Sequence, residues 1–301
     1  MTLTSRILFF QVPYTLGISM TIRKIKTIKA SHPTVDGAGV KINRVFSHKE
    51  VKDLDPFLLL DDFHSKNPDD YMAGFPMHPH RGIETVTYMI NGELEHQDSL
   101  GNRGVIGSGD VQWMTAGSGI IHQEMPKKTQ GMMQGFQLWI NLPAKSKMME
   151  PRYSGIKKAL LPELSSIKGK KETVIAGIVE GIIGPVRDLV VEVEYFDIEL
   201  QAGGEFVHKA RSGHTAFAYV FEGEGTFGME KKTVGAGNLV LFERSGDTVK
   251  AETNKGVRFL FASGKPLNEP VVWGGPIVMS TKEELELALK EYDKGTFVKH
   301  R

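Results

Sequence analysis

The stretch GFPMHPHRGIETVTYMINGELEH, Gly74 to His96, carries two histidines one residue apart, His78 and His80. Side chains of an extended chain alternate faces with period two, so both imidazoles fall on one side and can grip one object. A second stretch, GDVQWMTAGSGIIHQEM, Gly109 to Met125, repeats the spacing with His122 and Glu124. Three imidazoles and a carboxylate suit a borderline divalent metal: iron, manganese, copper, nickel or zinc. A structural zinc site would more often recruit cysteine and close a tetrahedron, and the chain contains no cysteine. Four protein ligands on a six-coordinate ion leave two positions open for chemistry. Spacing leaves the carboxylate undecided, because Glu84 shares the parity of His78 and His80, so Glu84 and Glu124 are both candidates. His48, His64 and His96 lack such pairing and are expected to be surface or hydrogen-bonded groups. Phe75, Met77 and Trp113 are candidates for apolar walls beside the metal.

These residues need rigid strands to hold them. From Val40 to about Leu142 the chain is a series of short apolar runs punctuated by glycine, FLLLDDF, ETVTYMING, GVIGSGDVQWM, GIIHQEM and FQLWINLP. This pattern predicts an antiparallel sandwich or barrel. A polar, turn-rich connector follows, and then the pattern resumes with TVIAGIV, LVVEVEYFDIEL, AFAYVFEGEGTF, NLVLFE and VRFLFASG. The two halves overlay as an internal repeat: HRGIETVTYMINGELE matches RSGHTAFAYVFEGEGTF with Gly92 opposite Gly223, and Gly109 falls opposite Gly237. Lys209, Arg211 and Lys250 then stand where the first half has His78, His80 and His122. The second unit therefore lacks the ligand set, although His208 and His214 lie close by. The expected division is an extension at 1–19, a first unit at 20–150, a linker at 151–171 with a short helix, and a second unit at 172–301. A capping box, Ser280 with Glu283 or Thr281 with Glu284, opens a helix whose stripe of Leu285, Ala288, Leu289 and Tyr292 runs up to Gly295 and should pack on a barrel.

Composition removes several classes of function. With 37 Lys and Arg against 36 Asp and Glu in 301 residues, the formal charge is +1, which gives no general attraction to nucleic acid or membranes. The basic cluster TIRKIKTIKASH spaces Ile22, Ile25 and Ile28 like a docked strand rather than a nucleic-acid arm. Without cysteine there is no thiolate chemistry, disulfide or iron–sulfur ligation by the protein. The apolar part of residues 1–19 is interrupted by Gln11, Pro13, Tyr14 and Thr15 and is expected to be neither a signal peptide nor part of the core. No run approaches the roughly 20 apolar residues of a membrane span. A cytoplasmic location is expected, or a nuclear one in a eukaryote.

The run HPHRGIETVTYMINGELEHQDSLGNRGVIGSGDVQWMTAGSGIIHQEMP resembles the signature region of the pirin family, within the cupin superfamily. The likeness begins near GAGVKINRV and LDPFLLLDDF, extends to PLNEPVVWGGPIVMST, and spans roughly Thr21 to Thr281. It implies an all-β fold of two jelly-roll-type cupin barrels in tandem, a bicupin, here followed by the short C-terminal helix. It implies one iron, favoured as Fe2+ with other divalent transition metals as alternatives, in the N-terminal barrel. The implied ligands are His78, His80, His122 and Glu124, with Glu84 left as a nearby polar group behind the ligands; chemically, Glu124 is then the catalytic group, accepting an enol proton as a general base or dissociating to free a site. Two activities follow from the resemblance. One is a dioxygenase that cleaves quercetin-type flavonols or related phenolics with O2, releasing carbon monoxide. The other is an iron-dependent regulator or redox sensor that binds partner proteins as a transcriptional cofactor.

Overall fold

The computed structural model describes residues 20–166 and 169–300. The expectation for residues 1–19 falls outside the described residues. Strands dominate, and the one long helix among the described residues is Lys282–Asp293. No helix among the described residues is long and apolar enough to cross a membrane.

The first barrel is built from two antiparallel sheets. The larger has seven strands in the order Arg152–Ile156, Val111–Thr115, Ile83–Asn91, Met133–Asn141, Phe57–Ser65, Val40–Phe46 and His32–Asp36. The smaller has four, Phe75–His80, Ile120–Pro126, Leu94–Asp98 and Arg103–Ile106. A ten-stranded sheet folds the second half of the chain into the second barrel, so the architecture is a tandem of two cupin barrels with a short C-terminal helix. The repeat is visible in the backbone. Gly109 and Gly237 both adopt positive φ, 84° and 82°, and their amides donate to Met89 and Val220, the matching positions of the two halves.

Large sheets of the two barrels pack face to face. Val86, Tyr88, Trp113, Phe136, Leu138 and Ile140 from the first meet Tyr195, Phe217, Tyr219, Leu241, Leu260 and Ala262 from the second in one buried core. Two polar contacts cross this core reciprocally: Tyr88 Oη donates to Asp197 Oδ2 and Tyr219 Oη to Asp62 Oδ2, both at 2.7 Å. Each buried hydroxyl thereby keeps a partner inside an apolar interface.

Three segments pack otherwise than the boundaries 20–150, 151–171 and 172–301 imply. Ile25–Ala30, from the basic cluster, is a strand as its spacing predicts, but it pairs with Asn238–Phe242 of the second barrel. The expected linker carries strand Arg152–Ile156, which closes the edge of the first barrel beside Val111–Thr115, and strand Glu163–Ser165, which pairs with Lys170–Ala176; its short helix is the 3-10 turn Lys158–Leu160. The C-terminal tail returns to the first barrel. Trp273, Val278 and Val271 pack with Ile83, Met114 and Ile120, and the helix uses Ala288 and Leu285, with Phe297, against Ile277, Met279 and Ile121. Thr281 with Glu284 forms the capping box. Leu289 stays largely exposed. Edge pairing of this kind depends on which sheet leaves backbone donors and acceptors open, and a local pattern carries no record of that.

The tail is latched by polar groups whose alternatives are dry. Buried Lys147 donates from Nζ to Gly82 O, Asn141 Oδ1 and Val278 O at 2.9, 2.7 and 3.0 Å. Buried Arg81 donates to Glu291 and to Phe297 O at 2.7 and 2.8 Å. Between these, Gly82 has φ +77°, and a Cβ there would lie 2.0 Å from Val278 O. Gly82→Ala should therefore lower stability by at least the roughly 1–3 kcal/mol of a forced left-handed residue and displace the hairpin Val272–Met279. Thermal unfolding checks this; an unchanged midpoint would show that the tail is not held at this point.

Candidate metal centre

His78 and His80 lie on Phe75–His80, an edge strand of the four-stranded sheet. Pro76 and Pro79 fit there because an edge strand can spare ladder donors that proline lacks. Ile120–Pro126 runs antiparallel beside it with His122 opposite His78, and opposite residues of a ladder share a face. The three rings converge: centroids are 4.3 Å apart for His78 and His122, 4.8 Å for His78 and His80, and 5.0 Å for His80 and His122. One donor nitrogen from each lies within 4.8 Å of the others. Among the described residues this is the one group of three or more such side chains to converge in this way.

The hydrogen bonds around the rings expose lone pairs toward a common point. His78 Nδ1 lies 2.8 Å from Pro76 O and His80 Nδ1 lies 3.0 Å from Pro276 O. A carbonyl oxygen only accepts, so each Nδ1 carries a proton, which in a neutral ring leaves the Nε2 lone pair free to bind. Those two Nε2 atoms are 3.1 Å apart, an arrangement that is repulsive unless something positive sits beside both. Buried His122 has no hydrogen-bond partner at either ring nitrogen. Burial, with His78 nearby, pulls His80 well below its ordinary range, and burial, with the other imidazoles, does the same to His122. Neutral, lone-pair-bearing imidazoles with an orphaned buried nitrogen fit a metal cation.

Glu124 sits two residues beyond His122 across a register shift, opposite His96 and Phe75. Its carboxylate accepts from Thr87 Oγ1 at 2.8 Å, Gln112 Nε2 at 3.1 Å and Gln137 Nε2 at 2.9 Å. These donors turn it toward the seven-stranded sheet, so it is not one of the convergent trio. Glu84 is elsewhere. The chain turns at Gly82 between the two sheets, so the parity of His78 and His80 does not continue into Ile83–Asn91. Glu84 lies on the face of that strand shared by Val86 and Tyr88, toward the second barrel, accepts from Thr115 Oγ1 at 2.7 Å, and has Arg152 at 3.8 Å. Glu84 therefore does not stand behind the histidines.

A cavity of about 580 Å³ opens beside the histidines, lined in part by Phe75, Met77, His78, His80, Glu124, Trp139 and Trp273. Trp113 is not part of it and instead packs between the barrels. The tryptophans that do line it stack on each other, with centroids 5.7 Å apart, and Trp139 meets His80 edge-on at 5.0 Å. Trp273 and Pro276 come from the returning tail, some 200 residues away in sequence from His80, and only the expected likeness at PVVWGGPIVMST pointed toward them. His96 is fully buried, with Nε2 3.1 Å from Asp98 Oδ2 and its ring stacked on Tyr153. His64 bonds Asp62, and His48 bonds Ser47 beside Trp273. Sequence reasoning missed Thr87, Gln112 and Gln137, which hold Glu124; isolated polar residues in apolar strands were the available signal.

The second barrel offers no comparable centre among the described residues. Lys209 and Arg211 are exposed, and Lys250 pairs with Glu205 and Glu252. Phe196, Phe206, Phe227, Phe259 and Phe261 fill the interior. His208 sits among three of those rings with Nε2 3.1 Å from Glu194.

Family models place this architecture among known proteins. The Pirin model matches residues 39–140, and the Pirin C-terminal cupin domain model matches residues 195–298. A Pseudomonas aeruginosa protein named "Putative quercetin 2,3-dioxygenase" is 45% identical over 278 residues, 91% of this chain and 97% of that protein. A Caulobacter vibrioides protein named "Pirin-like protein" is 43% identical over 279 residues, 92% of this chain and 100% of that one. A crystal structure of quercetin 2,3-dioxygenase from Acinetobacter baumannii superposes with a TM-score of 0.86 at 32% identity, covering 92% of this chain and 98% of the other.

Proposed function

The chain belongs to the pirin family, and from that premise we propose that it is a mononuclear iron protein that cleaves quercetin-type flavonols or related phenolics with O2. The observation that carries the reading is the convergence of three imidazoles, two of which, His78 and His80, line a cavity of about 580 Å³. In this reading His78, His80 and His122 hold the metal and Glu124 is its fourth protein ligand. Bound Fe2+ would supply a redox-active centre with open positions at which O2 and an enolate can react.

The protein's own groups do the rest. Pro76 and Pro276 carbonyls fix the tautomer and tilt of two imidazoles, as outer partners of metal-bound histidine commonly do. Glu124 lines the cavity from the strand that carries His122, and it accepts the acidic enol proton of a flavonol. Thr87, Gln112 and Gln137 hold its oxygens in place while it does so. Phe75, Trp139 and Trp273 give flat apolar surfaces for an aromatic substrate and reduce the water around the reacting atoms.

The test is anaerobic loading with Fe2+, then O2 uptake and carbon monoxide release with a panel of flavonols. Turnover proportional to iron content is expected. Stoichiometric flavonol binding with no O2 uptake would overturn the dioxygenase and favour an iron-dependent regulator that binds partner proteins.

A further inference from the structure

The registers of the seven-stranded sheet line up five polar side chains in one transverse row beneath the cavity. Gln112 pairs with Thr87, Thr87 with Gln137, Gln137 with Asp61, and Asp61 with Arg44. Opposite residues share a face, so the row is continuous across five strands. Glu124 caps one end by accepting from the first three. At the other end Arg44 donates from Nε to Asp61 Oδ1 at 2.9 Å and from Nη2 to Asp61 Oδ2 at 2.8 Å. In the rows on either side the strands that carry Asp61 and Gln137 are apolar: Leu59 pairs with Trp139, and Phe63 with Gly135.

The geometry points to Asp61 as a specificity residue that accepts a hydrogen bond from a hydroxyl on the part of the aromatic substrate remote from the enol. This inference rests on the flavonol reading above. Asp61 is only 6% exposed but lines the cavity, whereas its neighbour Asp62 points to Tyr219 and the second barrel. A carboxylate can accept about four hydrogen bonds, and Arg44 occupies one site on each oxygen. Burial pushes Asp61 up to about 6, against the pull of Arg44, so at pH 7 it remains chiefly an acceptor. Asp61 stands two strands from Thr87, about 10 Å at the ordinary strand spacing, a span that a three-ring phenolic lying along the row can bridge. Arg44 also donates to Asp36 Oδ2 at 2.6 Å. With two carboxylates around one guanidinium, this end favours hydroxyl donors over carboxylate-bearing ligands.

Quenching of Trp139 and Trp273 fluorescence by three flavonols tests this on the protein as isolated with its metal. One carries hydroxyls on both outer parts, one lacks those of the pendant ring, and one lacks those of the fused ring. One of the two deletions is expected to weaken binding about tenfold or more, as for a lost hydrogen bond to a charged group, and the other much less. Asp61→Asn, with its thermal midpoint checked, should shrink that discrimination to about twofold. Equal affinities of wild type for all three flavonols, or unchanged discrimination in a folded Asp61→Asn protein, would overturn the assignment of Asp61 alone. Binding of none would overturn the flavonol reading and the assignment together.

Discussion

Replacing Glu124 by Gln is expected to leave part of the metal bound and to reduce oxygenase turnover by about 10²–10⁴-fold, the usual loss when a general base is removed. The substitution keeps shape and removes charge and basicity. Three imidazoles remain to hold metal, which accounts for partial occupancy. Gln at this position also presents an amide NH2 toward Gln112 or Gln137, whose side chains now donate to the carboxylate; one of them must flip or lose its bond, so the orientation of the residue suffers as well. Glu84→Gln is the matched control. That side chain is equally buried and also hydrogen-bonded, but it faces the second barrel with Thr115 and Arg152, and both metal content and turnover should stay close to wild type. Iron content and O2 uptake measured side by side decide the matter. The reverse ranking would transfer the role to Glu84, and a wild-type rate in both variants would remove proton transfer by Glu124 from the mechanism.

The second large effect concerns the metal itself. Protein prepared without added metal should contain one transition-metal ion per chain, and His80→Ala should lose nearly all of it. His80 supplies one of three convergent nitrogens and is the one tied through Pro276 to the returning tail. Ligand binding to the native state raises stability by about 4 kcal/mol when free ligand is 1,000 times its dissociation constant. Chelation should therefore lower the thermal midpoint of wild type and leave His80→Ala unchanged. Elemental analysis and melting curves with and without chelator supply both readouts. Two ions per chain would contradict the phenylalanine-filled second barrel, and full loading of His80→Ala would dissolve the proposed centre.

Both predictions turn on features with different origins in the chain. The period-two pairs His78 with His80 and His122 with Glu124 were legible because they depend only on strand alternation within one element. The all-β tandem was legible from short apolar runs cut by glycine, and the repeat from Gly92 and Gly223, whose shared positive φ survives in both barrels. The helix was legible because its capping box is a contact between residues three apart, Thr281 and Glu284.

Relations between elements were not legible. Parity could not be carried from His80 to Glu84, because the turn at Gly82 passes the chain from one sheet to another and restarts the alternation. Trp113 has the apolar character of a cavity wall, but the pleat of its strand turns it into the inter-barrel core, while Trp139 and Trp273 meet at the cavity from strands far apart in sequence. The Pro276 carbonyl that fixes His80 is a backbone group with no residue-type signature. The row from Gln112 to Arg44 exists only once five strands have chosen their registers. By itself the sequence determined which residues can ligate, which segments extend and which barrel lacks the paired histidines, since these follow from residue type and local period. Only the tertiary structure decided which of the two carboxylates lines the cavity with His78 and His80, what covers the histidines and which sheet receives each terminal segment. Those outcomes are set by long-range strand pairing and by the burial of particular faces, which no local window contains.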